Sequence, residues 1–244
     1  MHRFHVPPSD ISSGTICIRD PERHHLLNVL RLTSGDDVQI YDGGGNSYTA
    51  RLTDTKSLPA IASIQDHQFH PPIPPHITLF QAIPKSDKMD LIIQKTTEIG
   101  VDEIVPMMCE RSVPKRKGDA LKIRRERWER IAIEASKQCG RPRFPKLVES
   151  RRMDECLQLA ANCELSLLLW ENEVECQIKN VLRNYRQLQS IGVFIGPEGG
   201  FSDAEAENAI YSGCLPTTFG GNTLRTETAA IVAVAFAVYE FRSS

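Results

Sequence analysis

Residues 192–202 decide the fold class, and they read Gly192-Val193-Phe194-Ile195-Gly196-Pro197-Glu198-Gly199-Gly200-Phe201-Ser202. The short apolar run from Gly192 to Ile195 predicts a strand of a parallel sheet that is covered on both faces. Ser202, with Glu205 three residues later, predicts a capping box that opens a helix over 203–212. The glycine-rich loop between them therefore follows the carboxyl end of a strand, where open α/β sheets bind ligands.

This loop, residues 196–200, has two possible interpretations. Its glycines let the backbone approach a ligand closely, and Pro197 restricts the turn. The loop lacks both the Gly-Lys-Ser/Thr ending of a P-loop and the GxGxxG pattern of a dinucleotide-binding turn. A tight structural turn is the alternative to a binding loop.

The same alternation of strands and helices extends over residues 77–241. Apolar runs predict strands at 77–83, 103–108, 165–170 and 215–219, and helical periodicity predicts helices at 120–139 and 226–241. Ser86 is a candidate cap for a further helix that ends at Gly100. Its expected buried face is Met89, Ile92, Ile93, Thr96 and Ile99. The inward face expected of the 120–139 helix is Leu121, Trp128, Ile131, Ala132 and Ala135. This half is predicted to be α/β with a mostly parallel sheet.

The first seventy residues have a different pattern. Turn signals separate expected strands at 15–19, 37–41, 47–53 and 60–65, with one helix at 22–32, which favours a small β-barrel. Four prolines within residues 70–76 predict an extended linker. We therefore place two domains at 1–72 and 73–244.

Composition limits the class of protein. A hydrophobic fraction of 41% and a charged fraction of 25% are typical of a globular protein. The seven cysteines form no CxxC pair and no Cys/His cluster, which argues against a metal site or a disulfide framework and favours the reducing cytoplasm. The apolar run at 228–239 is too short to span a membrane and lies between Glu227 and Glu240, so we expect a buried helix.

Positive charge is concentrated in one segment. The formal net charge is −2, yet residues 111–152 contain 15 Lys or Arg against 5 Asp or Glu. Such a block is what a polyanion-binding face requires, and a solvated helix face is the alternative. Arg111, Arg141 and Arg143 lie in it, and as charges they suggest phosphate contacts.

Two further loops are expected at the same sheet edge as residues 196–200. One is glycine-rich and runs from Phe219 into the helix that begins at Thr226; the other is the end of the strand 165–170. Arg225 sits beside this expected pocket, where a guanidinium can contact a phosphate or a developing oxyanion. A salt bridge to Glu227 is the alternative for Arg225, and a simple core strand is the alternative for 165–170.

An ordered set of stretches resembles a known family. They are His25–Arg31, Lys88–Val101, Glu110–Val113, Glu134–Arg141, Gly196–Gly200 and Leu224–Ala229. In this order, and over nearly the whole chain, they resemble the bacterial family that methylates N3 of a uridine in small-subunit (16S) ribosomal RNA. That family lies within the SPOUT superfamily of trefoil-knotted methyltransferases. The chain departs from its usual pattern at Asn222 and Thr223, where a basic and a branched apolar residue are typical.

The resemblance implies a fold, a cofactor and partners. It implies an amino-terminal PUA-like β-barrel for RNA binding, a carboxy-terminal SPOUT domain with a deep trefoil knot, and a cytoplasmic homodimer acting on the small ribosomal subunit. S-adenosyl-L-methionine would be held by Leu168, Leu169, Trp170, Ile195, Gly196, Pro197, Glu198, Gly199, Gly220, Leu224, Arg225 and Thr228. RNA contacts are expected at Arg3, Arg31, Arg111, Arg141 and Arg143.

A catalytic role is expected for Arg225. Loss of the uracil N3 proton leaves charge on the flanking carbonyl oxygens, and Arg225 would stabilise that charge. No histidine falls in the three pocket loops, and Glu198 is a weak candidate for the general base. Two alternatives stay open: a non-catalytic RNA-binding factor, and a methyltransferase of the same fold that acts on transfer RNA or on a ribose hydroxyl.

Overall fold

The computed structural model describes residues 1–112 and 119–242, apart from the side chains of residues 119–122. The chain folds into two compact units. Unit 1 is Met1–Pro72 with Ile133–Phe144, and unit 2 is Ile73–Ala132 with Pro145–Ser244. The two-domain prediction assigned Ile133–Phe144 to the second domain, whereas the structure places this segment in unit 1.

Unit 1 is built on one curled six-stranded sheet. Its strands are β1 (Arg3–His5), β2 (Ile11–Ser12), β3 (Thr15–Ile18), β4 (Asp37–Tyr41), β5 (Asn46–Asp54) and β6 (Ala60–Phe69). They lie in the order β1-β4-β5-β6-β3-β2, and every pair is antiparallel except β1 with β4. The sheet forms a half-barrel, which confirms the small amino-terminal β-domain. A short 3-10 turn, Pro8–Asp10, precedes β2.

The helix predicted at 22–32 is shorter than expected. Helix α1 (Glu22–His24) continues into a π-helical turn at His25–Val29, with Leu26 buried against the sheet. Arg31 has a φ of 56°, a left-handed conformation that cannot continue a right-handed helix. The prediction was therefore wrong about the last turn.

The core of unit 1 follows from strand alternation. Side chains of successive strand residues point to opposite faces, so every second residue can be buried. The fully buried set includes Phe4, Ile16, Ile18, Val38, Ile40, Ala50, Leu52, Ala60 and Ala62. One face of the sheet thus carries the core.

Unit 2 contains a parallel sheet. Its strands are β7 (His76–Ala82), β8 (Glu103–Met108), β9 (Lys146–Leu147), β10 (Arg151–Arg152), β11 (Leu165–Leu169), β12 (Ser190–Ile195) and β13 (Leu215–Thr217). The order is β10-β8-β7-β12-β11-β13, with β9 also paired to β8, and every pair is parallel. This confirms the α/β prediction. The two-residue strands β9 and β10 are too short to leave a periodic pattern in the sequence.

In the described part of the chain, six helices lie within unit 2 or begin in it. They are α2 (Lys88–Ile99), α3 (Asp119–Cys139), α4 (Met153–Ala160), α5 (Ile178–Arg183), α6 (Asp203–Tyr211) and α7 (Thr226–Arg242). The expected face of α2 is buried at Met89, Ile92, Ile93 and Thr96, and Ile99 is partly buried. In α3, Trp128, Ala132 and Ala135 are buried and Ile131 is partly buried, while the side chain of Leu121 lies outside the described residues. Helices α4 and α5 were not predicted.

The two predicted caps had different outcomes. The prediction that Ser86 caps α2 was wrong, because the cap residue is Asp87, without a side-chain hydrogen bond, and Ser86 has a φ of 57°. The capping box of α6 is confirmed: the Glu205 N–H donates to Ser202 Oγ at 3.3 Å. In return, the Ser202 N–H donates to Glu205 Oε2 at 3.0 Å.

Alternation along the parallel strands creates two separate cores. Ile77, Leu79, Leu169 and Ile195 are buried with residues of α2, α5 and α7. The intervening residues Phe80, Ala82, Leu168 and Phe194 are buried with residues of α4 and α6. Phe80 and Phe194 stack there with ring centroids 4.3 Å apart. Neighbouring residues of one strand therefore serve opposite faces of the sheet.

Three properties of the described residues bear on the expected class. Across 1–112 and 119–242, no helix combines the length and apolar character that crossing a bilayer requires. In the same ranges, no three His, Cys, Asp or Glu side chains are grouped so that they can hold a metal ion. The seven cysteines are free thiols.

Candidate active site

A cavity of about 720 Å³ lies at the carboxyl ends of β12, β11 and β13. The lining comes from Lys88 of α2 and from residues 169–171, 173–174, 195–200, 217–226 and 229, which include parts of all three loops expected at this edge. A volume of this size is within the range of small-molecule and cofactor sites. The parallel sheet thus brings the three predicted loops together at one pocket.

Most of the predicted cofactor residues line this cavity. They are Leu169, Trp170, Ile195, Gly196, Pro197, Glu198, Gly199, Gly220, Leu224 and Arg225. Leu168 and Thr228, although both are described, are not among the lining residues. Leu168 is fully buried in the core on the opposite face of the sheet, and Thr228 is exposed on the first turn of α7. Strand alternation alone would have separated Leu168 from Leu169.

Several lining residues were not predicted as contacts. Glu171, Asn222 and Thr223 belong to the expected loops, whereas Glu173 lies two residues beyond the expected end of its loop. Lys88 comes from a separate helix, and its side chain reaches the cavity through the packing of α2 beside α7. Lys88 begins one of the stretches that carry the family resemblance, but that resemblance did not indicate a contact of Lys88 with the pocket.

A buried hydrogen-bond chain fixes the start of α7 to the 196–200 loop. Thr226 Oγ1 donates to the carbonyl of Gly196 at 2.6 Å and accepts from Gln81 Nε2 at 3.0 Å. Gln81 is fully buried on β7, and its amide also donates to the carbonyl of Ala82. Because buried polar groups are costly to leave unpaired, this chain holds two cavity loops in register with the sheet.

The other two loops are joined by backbone hydrogen bonds. The Trp170 N–H donates to the carbonyl of Thr217 at 3.1 Å. Thr218 donates to the carbonyl of Cys176 at 2.9 Å and accepts from the Ile178 N–H at 2.9 Å. The indole Nε1 of Trp170 is buried and has no hydrogen-bond partner in the described part of the chain. A lining residue thus carries a donor that a ligand can satisfy.

The backbone conformation at Gly200 favours glycine. Its φ is +68°, and a Cβ built there would overlap the carboxylate of Glu171. Left-handed backbone costs a non-glycine residue about 1–2 kcal/mol before any clash. Glycine therefore lets the loop pass directly against an acidic side chain of the cavity.

Gly200→Ala is expected to weaken ligand binding in the cavity about tenfold, since strain of about 1–2 kcal/mol and displacement of Glu171 act together. In a Glu171→Ala background the clash is absent and only the strain is left, so Gly200→Ala should there cost less affinity than it costs in the wild-type background. Calorimetric titration of the wild type, the single variants and the double variant measures this. Equal affinity of the Gly200→Ala variant and the wild type would contradict the steric account.

Lys88 links two acidic residues at the cavity. Its ammonium lies 3.1 Å from Glu198 Oε1 and 3.3 Å from Glu227 Oε2. Hydrogen bonding to Glu198 is the main reason that the pKa of Lys88 is raised. Burial opposes ionisation of Glu198, but its own backbone N–H and Lys88 outweigh it, so the Glu198 pKa is lowered. A carboxylate held ionised in this way is a poor proton acceptor, which disfavours Glu198 as a general base.

Arg225 is exposed at the cavity. Within residues 1–112 and 119–242 its guanidinium has no hydrogen bond or ion pair, and Glu227 pairs with Lys88 instead. The salt bridge considered as the alternative for Arg225 is therefore not formed. Its donors are available to a bound molecule.

Of the five arginines expected to contact RNA, three donate hydrogen bonds to backbone carbonyls of the protein. Arg3 Nη1 donates to Lys137 and Gln138, at 3.1 and 2.8 Å. Arg143 Nη2 donates to the carbonyl of His70 at 3.0 Å. Arg111 Nη1 donates to Gly199 and Phe201, at 2.8 and 3.2 Å. Arg31 is exposed, and Arg141 is half-buried.

Many other charges of the basic segment are also paired. Arg125 contacts Glu129 and Glu149, Arg127 contacts Asp90, and Lys146 contacts Glu103. Lys137 is nearly buried and contacts Glu22 and Glu134. Asp90, Glu22 and Glu103 lie outside residues 111–152, so acidic residues from other elements neutralise part of the excess positive charge of this segment.

Comparison with known proteins decides the family. A family model described as an RNA methyltransferase domain matches residues 71–238, and one described as an RNA methyltransferase PUA domain matches residues 18–65. The ribosomal RNA small subunit methyltransferase E of Synechocystis sp. is 31% identical over 236 residues, which cover 96% of this chain and 76% of the relative. The chain belongs to this RNA methyltransferase family. The Bacillus subtilis relative of the same name is 28% identical, over 93% of this chain and 90% of its own.

Solved structures agree with the methyltransferase fold. The ribosomal RNA small subunit methyltransferase E of Neisseria gonorrhoeae, bound to S-adenosyl methionine, aligns with a TM-score of 0.88 and 32% identity over 98% of this chain and 97% of that one. The putative methyltransferase Lpg2936 of Legionella pneumophila, also with its cofactor, gives 0.86 and 30% over 97% and 96%. The likeness to these two structures extends over 97–98% of this chain and so is not limited to one domain.

Proposed function

We propose that this methyltransferase transfers the methyl group of S-adenosyl-L-methionine to N3 of a uridine in small-subunit (16S) ribosomal RNA. The observation that carries the proposal is the glycine-lined cavity with the unpaired Arg225 at its edge. The related proteins are named for methylation of small-subunit ribosomal RNA, and two related structures hold S-adenosylmethionine. Small subunits assemble in the cytoplasm, which is where the protein would act.

The residues present fit this cofactor. The side chains that line the cavity include three carboxylates, Glu171, Glu173 and Glu198, against two cations, Lys88 and Arg225. S-adenosylmethionine has a sulfonium, an ammonium and one carboxylate, so its net charge of about +1 complements this lining. Loop glycines permit close approach, and the buried indole N–H of Trp170 supplies a free donor.

When bound, the cofactor supplies an electrophilic methyl group. Arg225 would contact the carbonyl oxygens that flank uracil N3 and stabilise the charge left there by loss of the N3 proton. The Gln81–Thr226–Gly196 chain fixes the start of α7 and hence the position of Arg225. Glu198 keeps its ion pair with Lys88 and shapes the site.

RNA would be bound in part by the amino-terminal domain. We assign residues 1–72 to a PUA-like RNA-binding domain and residues 73–244 to a methyltransferase domain in which the chain forms the trefoil knot of the SPOUT superfamily. The exposed Arg31 is a suitable phosphate contact, because the structure leaves its side chain in solvent. Arg3 and Arg143 are engaged with backbone carbonyls, so their role is better explained by stability.

The proposal includes a homodimer. Helix α7 exposes Phe236 and Tyr239, which are three residues apart and share a face, and the neighbouring α2 exposes Leu91. Exposed apolar side chains on packed helices suit an interface with a second copy. Light scattering during gel filtration should give twice the mass of one chain, and a Tyr239→Glu variant should give a smaller one.

Methyl transfer to ribosomal subunits tests the proposed function. Labelled S-adenosylmethionine is incubated with small subunits that lack their native modification, and the nucleosides are then separated. We expect a peak of 3-methyluridine from small-subunit RNA. Transfer to transfer RNA or to a ribose hydroxyl would contradict the assigned target, and a protein that neither transfers methyl groups nor binds the cofactor would be a non-catalytic RNA-binding factor.

A further inference from the structure

The loop at 196–200 is held from outside the cavity by the segment that follows β8. Arg111 Nη1 donates to the carbonyl of Gly199 at 2.8 Å and to that of Phe201 at 3.2 Å. One nitrogen of the guanidinium thus binds two carbonyls on either side of Gly200, the residue with left-handed backbone. Charge-assisted hydrogen bonds of this kind are stronger than neutral ones.

The stem of Arg111 packs on the same loop. A Cβ placed on Gly199 would lie 3.5 Å from Cβ and from Cδ of Arg111, which is ordinary van der Waals contact. The Arg111 side chain therefore covers the outer side of Gly199 and binds its carbonyl. Both contacts restrict the loop in one position.

A second contact joins the same two segments. The Glu110 N–H donates to Glu205 Oε1 at 2.7 Å. The other oxygen of this carboxylate, Oε2, accepts from the Ser202 N–H at 3.0 Å in the capping box of α6. Glu110, Arg111 and Glu205 together fix the end of the loop that leads into α6. Thr226 fixes the beginning of the loop at Gly196.

We propose that Arg111 is a positioning residue for cofactor binding, which acts by holding the 196–200 loop in its binding conformation, and that it is not a phosphate contact. The inference rests on the proposed function, because the loop must bind S-adenosylmethionine. Gly199 and Gly200 line the cavity. If their carbonyls were not held, the loop would move in the free protein, and ordering it on binding would cost free energy. A loop that is already ordered binds without that cost.

Equilibrium binding separates the two roles of Arg111. The Arg111→Ala variant should bind S-adenosylmethionine and S-adenosylhomocysteine about tenfold more weakly, because it loses two charge-assisted hydrogen bonds made by an exposed side chain. Arg111→Lys, which keeps the stem and one cationic donor, should recover part of the affinity. Arg130→Ala is the matched control: it removes one charge from the same basic segment, and the Arg130 guanidinium bonds only within its own helix, to the Glu126 carbonyl, among described residues. Its cofactor affinity should equal that of the wild type.

Two further measurements test how Arg111 acts. Hydrogen exchange of the amides at 199–205 should be faster in Arg111→Ala without any ligand, and the salt dependence of RNA binding should keep its slope. An unchanged cofactor affinity together with a slope reduced by about 0.9 would make Arg111 a phosphate contact and overturn the inference. A wild-type protein that binds no cofactor would overturn the proposed function first, whereas normal binding by wild type and Arg111→Ala alike would overturn the inference alone.

Discussion

The Arg225→Ala variant is expected to lose about 10²–10³-fold in kcat, which is typical when one donor to a developing oxyanion is removed. The dissociation constant of S-adenosylmethionine should change much less, because the guanidinium is exposed and bonds to no described residue. Single-turnover methyl transfer measures the first quantity, and calorimetric titration measures the second.

Arg225→Lys serves as the matched variant. Lysine keeps the positive charge but presents a point charge instead of a planar fork, so it should recover only part of the lost rate. Equal losses of rate and cofactor affinity in Arg225→Ala would contradict a role in charge stabilisation. That result would make Arg225 a cofactor ligand.

Leu168→Ala is expected to lower the free energy of unfolding by about 2–5 kcal/mol, the usual cost of a large cavity in a well-packed core. The folded variant should bind S-adenosylmethionine as tightly as the wild type, since Leu168 is buried on the face of the sheet opposite to the cavity. Denaturant unfolding and calorimetric titration give the two values.

Leu169→Ala is the matched comparison for Leu168→Ala. Leu169 lines the cavity, so its truncation should weaken cofactor binding by about tenfold, the effect of removing part of one apolar contact surface. A Leu168→Ala protein with weakened binding at full stability would show that strand alternation does not decide which side chains reach the cofactor.

The elements with strong local signals could be predicted from the sequence. The apolar run of β12, the glycines after it and the Ser202–Glu205 pair specify strand, loop and capped helix through backbone preference and burial. The position of the pocket followed, because parallel strands end at one edge. Leu168 was expected to contact the cofactor together with Leu169, although alternation along the strand already indicated that the two side chains point to opposite faces.

Contacts between distant segments could not be predicted. The basic segment indicated phosphate binding because its charges are close in sequence, yet Arg111 binds the 196–200 loop and Arg127 pairs with Asp90. Lys88 and its two carboxylates meet only when α2, the loop and α7 have packed. Such pairs depend on tertiary packing, which no local pattern encodes.

The two contacts of Glu205 restrict which side chains can replace it. Capping boxes generally tolerate glutamate or glutamine at this position, because a single acceptor oxygen is enough. Here both oxygens are used, one by the Ser202 N–H and one by the Glu110 N–H. An amide would present a hydrogen to one of these hydrogens, a collision of two donors. Glutamine at position 205 is therefore expected to disrupt these contacts although it has the same shape as glutamate. Glutamate and glutamine are not interchangeable at this position.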